Sequence, residues 1–120
     1  MEAVTWLHTT AGVVLLGAFV LLALVAVPGS RSPALGRWFE RGRRVLLGVV
    51  VAEAALGLTL ALRGASPAET LHWAYGAGIT GVLLAPSLMR DANDAHPRAF
   101  VMVGTSVLAA LLAWRLWGTG

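Results

Sequence analysis

The chain has 120 residues, 58% of them hydrophobic and 12% charged, against roughly 25% charged residues in a soluble domain; an ordinary water-soluble globule is excluded and an integral membrane protein is expected. All nine cations are arginine against six acids, a net charge of +3. Most of them lie in two short polar stretches between apolar runs, so they mark membrane topology and not a nucleic-acid surface. Cysteine is absent, which excludes disulfides, thiol redox chemistry, iron–sulfur ligation and covalent heme attachment through C-x-x-C-H.

The first apolar run extends from about residue 3 to 27 and is expected to stop at Pro28-Gly29. It is long enough for a membrane span of about 20 residues. With only Glu2 before it and Arg31 after it, it has the reverse of the charge pattern of a cleavable signal. Residues 28–44, PGSRSPALGRWFERGRR, read as a Pro-, Gly- and Arg-rich connection with Trp38 and Phe39 as an interfacial anchor. A second span is expected over about 45–62. Ser66 as N-cap, Pro67 at the first helical position and Glu69 as the other half of a capping box predict a third span over about 67–89. Pro86 is expected to kink its far end by freeing the carbonyl four residues earlier. After the polar loop RDANDAHPR, Pro97 opens a fourth span over about 97–117.

Four spans joined by short loops predict an all-α, integral membrane four-helix bundle of up-down-up-down topology in a single domain. Arginine predicts its orientation. The face holding residues 28–44 and 90–98 carries seven arginines, Arg31, Arg37, Arg41, Arg43, Arg44, Arg90 and Arg98; the other carries Arg63 and Arg115. The positive-inside rule places the first face in the cytoplasm. Both termini are then expected on the extracytoplasmic side of a cell inner membrane, with Trp6, Trp73, Tyr75, Trp114 and Trp117 near that surface.

One pattern occurs twice. Residues 7–17, LHTTAGVVLLG, and 71–81, LHWAYGAGITG, both fit LHxxxGxxxxG, placing His8 with Gly12 on the first span and His72 with Gly76 on the third. At 3.6 residues per turn each histidine and the glycine four residues later lie about 40° apart on one helix face. Each span therefore presents an imidazole beside bare backbone. Spans one and three run in the same direction, so His8 and His72 are expected at one membrane face and at similar depth. That arrangement suits a flat ligand, foremost a b-type heme with His8 and His72 as axial iron ligands; a quinone or chlorin is another planar occupant of the same slot. The competing explanation is that the glycines serve close helix approach, as small residues do in membranes.

Other polar residues join the same level. Arg63 and Arg115 are candidates to hold heme propionates through charge-assisted hydrogen bonds, or they snorkel to the headgroups. Tyr75 either lines the pocket or belongs to an interfacial belt. Glu53, in mid-span, is either a proton relay or a neutral acid hydrogen-bonded to groups such as Thr80, Thr105 and Ser106. His96, in a polar loop before Pro97, reads as a capping or solvated residue.

The stretch EAALGLTLALRGASPAETLHWAYG, with Leu56-Gly57, Gly64, Pro67, Leu71-His72 and Gly76, resembles part of the heme A synthase family, and TWLHTTAGVVLLGAFVLLALVAV resembles the family helix bearing the other histidine of the same heme. The resemblance spans roughly residues 5–88. It implies one four-helix unit with a bis-histidine heme site near the outer face, held by His8 and His72. Family members have two such units and this chain has one. Their glutamate one turn before the first histidine and the arginine after it are replaced here by Val4, Thr5 and Thr9, and Glu53 stands where a polar amide is usual. The resemblance therefore implies heme binding and electron transfer rather than oxygenase chemistry, with a homodimer as a route to the eight-helix arrangement.

The expected function is thus membrane electron transfer through heme b, with membrane lipid as surroundings and a quinol or another membrane redox protein as partner. Enzymatic oxidoreductase activity is left open. The rivals are a small proton-coupled transporter using Glu53 and a cofactor-free accessory subunit of a membrane complex.

Overall fold

A computed structural model describes residues 2–65, 67, 69–89 and 95–119, with side chains for all but 95–99 of these. Ser66, Arg90 and the side chains of His96 and Arg98 lie outside the described set. Four helices follow one another: α1 (Glu2–Arg31), α2 (Pro33–Leu62), α3 (Leu71–Leu88) and α4 (Ala95–Trp117).

The connection expected over residues 28–44 is almost entirely helical. α1 continues through Pro28 and Gly29 to Arg31, and α2 begins two residues later. Pro28 removes one backbone donor, but its own carbonyl accepts from Ser32 N–H at 3.2 Å and the helix continues. The reversal is confined to Ser32, which is extended (φ −123°, ψ 119°), as a residue before proline is constrained to be. Its hydroxyl accepts from the backbone N–H of Leu35 at 3.5 Å, and Pro33 occupies the first turn of α2. Gly29 makes the tight hairpin possible: a Cβ there would lie 3.2 Å from the Met102 terminal methyl and 3.5 Å from the Leu35 carbonyl oxygen.

α2 ends at Leu62, where Arg63 and Gly64 donate to the carbonyls of Leu60 and Ala61. Gly64 has φ +89°, a conformation that costs glycine little and other residues more. α3 starts at Leu71, later than the expected Pro67, with Thr70 at its N-cap and no side-chain cap bond. Its helix passes through Pro86 without a break.

All neighbouring helices are antiparallel. His8 at the start of α1 meets Gly57 near the end of α2, Gly29 near the end of α1 meets Met102 early in α4, and Gly78 early in α3 meets Leu112 late in α4. α1 packs between α2 and α4, and α3 packs against α4 and more sparsely against α2; the diagonal pairs are not in helix contact. The core runs down the middle in two continuous clusters. Leu15, Phe19, Val50, Ile79, Leu83, Ala109 and Ala113 form one; Leu22, Ala26, Phe39 and Met102 form the other; Leu46 packs against both. The outward surface is apolar as well, with Leu24 69%, Leu62 81% and Leu111 59% exposed. A bundle hydrophobic on both sides suits lipid and not water. Three of the helices are long and apolar enough to cross a membrane: α1, α2 and the Phe100–Trp117 part of α4.

One charge is buried in this bundle. Arg43 of α2 is 1% exposed. Its Nε and Nη2 donate to the Glu40 carboxylate at 2.9 and 2.7 Å, Nη2 also donates to Ser87 Oγ at 2.9 Å, and Nη1 donates to the Leu83 carbonyl. The guanidinium thus ties α2 to the last turn of α3, where these helices share little hydrophobic contact. Removing one member of a buried, paired charge typically costs about 3–5 kcal/mol. Arg43→Ala is expected to destabilise the bundle by about that amount, measured by reversible unfolding in mixed micelles of mild detergent and dodecyl sulfate.

Candidate functional site

The end of the bundle opposite the Ser32 turn carries the polar residues singled out by sequence. His8 lies less than two turns inside α1 and His72 is the second residue of α3, so both side chains project at the same end although their helices are diagonal neighbours. The imidazole centroids are 6.2 Å apart with planes at 61°. The parallel course of α1 and α3 brings them to this distance without any contact between the two helix backbones.

Glu53 belongs to the same cluster. Its carboxylate Oε2 and His8 Nδ1 are hydrogen-bonded at 2.7 Å, with the two side chains 14% and 28% exposed. Two of the three partners expected for Glu53 are engaged elsewhere: the Thr80 hydroxyl donates to the Gly76 carbonyl on its own helix and the Ser106 hydroxyl to that of Met102. The sequence separation of 45 residues conceals this pair: counted from the helix ends, His8 stands level with Gly57, and Glu53 one turn further down α2 reaches it only through its side chain.

Gly57, one turn beyond Glu53, forms the floor under His8. A Cβ at residue 57 would lie 3.5 Å from His8 Cε1 and 3.9 Å from Nε2. The imidazole therefore rests its Cε1 edge against α2 while Nδ1 faces the carboxylate. His72 is placed differently. Its Nδ1 is buried and has no hydrogen-bond partner among the described residues, and its ring makes an edge contact with Trp73 at 6.3 Å. Gly12 and Gly76, one turn past each histidine, are half-buried, and an added Cβ at either would meet nothing within 4 Å. The apolar core begins below this level, at Leu15 and Ile79.

Of the remaining expected site residues, Tyr75 and Arg115 come together, with the guanidinium 5.9 Å from the ring centroid. Arg115 is exposed. Arg63 caps the end of α2 and is exposed at the same end of the molecule.

Two imidazoles on opposite sides of one metal ion have ring centroids about 6 Å apart, from a metal–nitrogen bond of about 2.0–2.1 Å on each side and ~1.1 Å from nitrogen to ring centre. The observed separation meets this condition. With His8 Nδ1 held by a carboxylate, Nε2 is the atom left to act as a ligand, the arrangement in which outer-shell carboxylates fix the tautomer of ligating histidines. The orphaned His72 Nδ1 and the open space at Gly12 and Gly76 also fit a group that is larger than an ion. Among the described residues no set of three His, Asp or Glu side chains has the geometry of a simple metal site.

No protein-family model, curated protein or solved structure matches the chain. What the fold and the site define is a class: a helical membrane protein with a carboxylate and two imidazoles gathered at one end of a four-helix bundle.

The contact at Gly57 yields a test of this geometry. Gly57→Ala places a methyl at ordinary contact distance and is expected to leave His8 in place, whereas Gly57→Leu displaces the ring from Glu53. Glu53→Ala removes the bond outright and is expected to cost roughly 1.5–3 kcal/mol, the range for hydrogen bonds to charged groups. Imidazole nitrogen chemical shifts in histidine-labelled protein are expected to be unchanged at His8 in Gly57→Ala and altered in the other two variants.

Proposed function

We propose that the chain is a four-span membrane protein that holds one b-type heme between His8 and His72 and transfers electrons near one membrane surface. The observation that carries this reading is the pair of imidazoles, 6.2 Å apart, contributed by diagonal helices at one end of an apolar bundle. Ionisable groups inside a membrane are costly and point to function by default, and here two histidines and a glutamate share one level.

In this reading His8 and His72 bind through one ring nitrogen each, and Glu53 orients His8 by accepting the Nδ1–H hydrogen bond. Gly12 and Gly76 leave room for a flat macrocycle against the helix backbones. Arg63 and Arg115 stand at the end where carboxylate substituents of such a ring would emerge, and Tyr75 steadies Arg115. A heme held by both imidazoles would supply a one-electron couple, which favours electron transfer over oxygen chemistry. A quinol or a second membrane redox protein fits as partner. The resemblance to the heme A synthase family supports the same site on residues alone. The arginine-rich end faces the cytoplasm of an inner membrane in this reading, by the positive-inside rule, and the histidine end faces outward.

A second reading is favoured by the Glu53–His8 hydrogen bond: a carboxylate and two imidazoles in sequence form a proton relay for a small coupled transporter. The two readings separate on colour. Protein purified from heme-replete cells is expected to show a sharp α band on reduction. His8→Ala and His72→Ala are each expected to abolish it or convert the spectrum to high spin. Glu53→Gln is expected to retain the band with heme affinity lowered about 10–100-fold, as for loss of an outer-shell partner. A colourless wild-type protein that also fails to take up added hemin overturns the heme reading, and proton-coupled uptake lost in Glu53→Gln then establishes the relay.

A further inference from the structure

The opposite end of α2 carries a cluster of arginines that the heme reading does not use. Arg37, Arg41 and Arg44 follow one another at i, i+4 and i+7, which puts them on one stripe of the helix, and all three are exposed. With Gly36 and Glu40 they line a depression of about 250 Å³. Gly36 is buried and without a side chain, which leaves the floor open between the guanidiniums.

The charges here do not balance. Glu40 is the carboxylate of the cluster, and it already accepts from Arg43 at two positions and from Arg44 Nε at 2.8 Å. Among the described residues, four guanidiniums, those of Arg37, Arg41, Arg43 and Arg44, against this one carboxylate leave three positive charges within three turns of helix. Like charges at this spacing repel, and an anion with several oxygens relieves that repulsion. Arginine suits phosphate because its planar fork donates two parallel hydrogen bonds.

Depth identifies the anion's carrier. From Leu62 to Arg44 is 18 steps of 1.5 Å, about 27 Å, close to the ~30 Å of the hydrocarbon layer. Arg37 to Arg44 therefore stand at headgroup level, where Trp38, 67% exposed and 5.9 Å beneath the Arg41 guanidinium, has the position of an interfacial anchor. The same helix stripe continues into the apolar layer as Gly48, Val51, Ala52 and Ala55, all exposed, with open space over Gly48. A phosphate at the arginines thus has a shallow apolar track directly beneath it.

We propose that this end of α2 is a binding site for an anionic phospholipid, with the headgroup phosphate on Arg37, Arg41 and Arg44 and an acyl chain along Gly48, Val51 and Ala55. Glu40 lines the site and, through Arg43, keeps the cluster registered against α3. The proposal depends on membrane insertion and not on heme.

The test is native mass spectrometry of the full chain released from detergent containing equal amounts of phosphatidylglycerol and phosphatidylcholine with the same acyl chains. Wild type is expected to retain phosphatidylglycerol preferentially. The triple variant R37Q/R41Q/R44Q is expected to lose about 100-fold in that preference, near fivefold per basic side chain at an anionic surface. Arg31→Gln, which removes a charge from the same end but from α1, is expected to leave it within about twofold, since it lies outside the phosphate-binding stripe. Equal retention of both lipids, or an equal loss in Arg31→Gln, overturns the site in favour of diffuse attraction. Displacement of the lipid by millimolar inorganic phosphate also overturns it, by assigning the cluster to a soluble anion. Should the triple variant fail to fold, Arg37→Gln and Arg41→Gln singly carry the test, each with the fivefold loss.

Discussion

The hydrogen bond between Glu53 and His8 is the interaction on which the histidine end depends. In a bundle that is apolar inside and out, a carboxylate has no water to turn to, and each unsatisfied group costs several kcal/mol. Glu53 meets this demand with a side chain from the neighbouring antiparallel helix. The bond fixes the rotation of α1 against α2, and Gly57 one turn on gives the imidazole a surface to rest on. His72 then arrives from the diagonal helix at a distance set by the bundle's own cross-section.

α2 is the helix that organises the polar contacts at both ends. Glu53 joins it to α1 and Arg43 joins it to α3, while its apolar side chains are divided between the two core clusters, Val50 in one and Phe39 in the other. The α2–α3 pair packs least closely of the four neighbouring pairs, and it is there that the Arg43 guanidinium reaches the Leu83 carbonyl and Ser87. Charged groups thus supply the register where apolar side chains supply little. In a membrane this division is reasonable, because lipid competes with side chains for apolar contact and does not compete for a hydrogen bond.

The four helices and their antiparallel order were legible from apolar runs and breaker residues, and the height of His8 and His72 followed from counting. The hairpin between α1 and α2 was not. Pro28, Gly29 and Pro33 read as loop residues, yet Pro28 costs α1 only one donor, Gly29 is needed for close approach to Met102 and Leu35, and Pro33 opens α2. Breakers mark a boundary only when nothing nearby favours continuation, and here the burial of Phe39, Ala26 and Leu22 around Met102 carries both helices past them. The start of α3 failed for the opposite reason: a capping-box pattern is local, and the turn through Gly64 places the first helical residue at Leu71. Glu53 in mid-span is costly on sequence alone, but its partner lies 45 residues away, beyond any local rule.

The two ends differ in how completely their polar atoms are used, and the difference bears on where chemistry occurs. At the arginine end, all three guanidinium nitrogens of Arg43 donate to protein acceptors. At the histidine end, His72 Nδ1 is buried without a partner, Gly12 and Gly76 border open space, and the packed core starts a turn lower. An unpaired buried nitrogen is a cost the fold carries at this position, and such inconsistencies concentrate where a protein meets something other than itself.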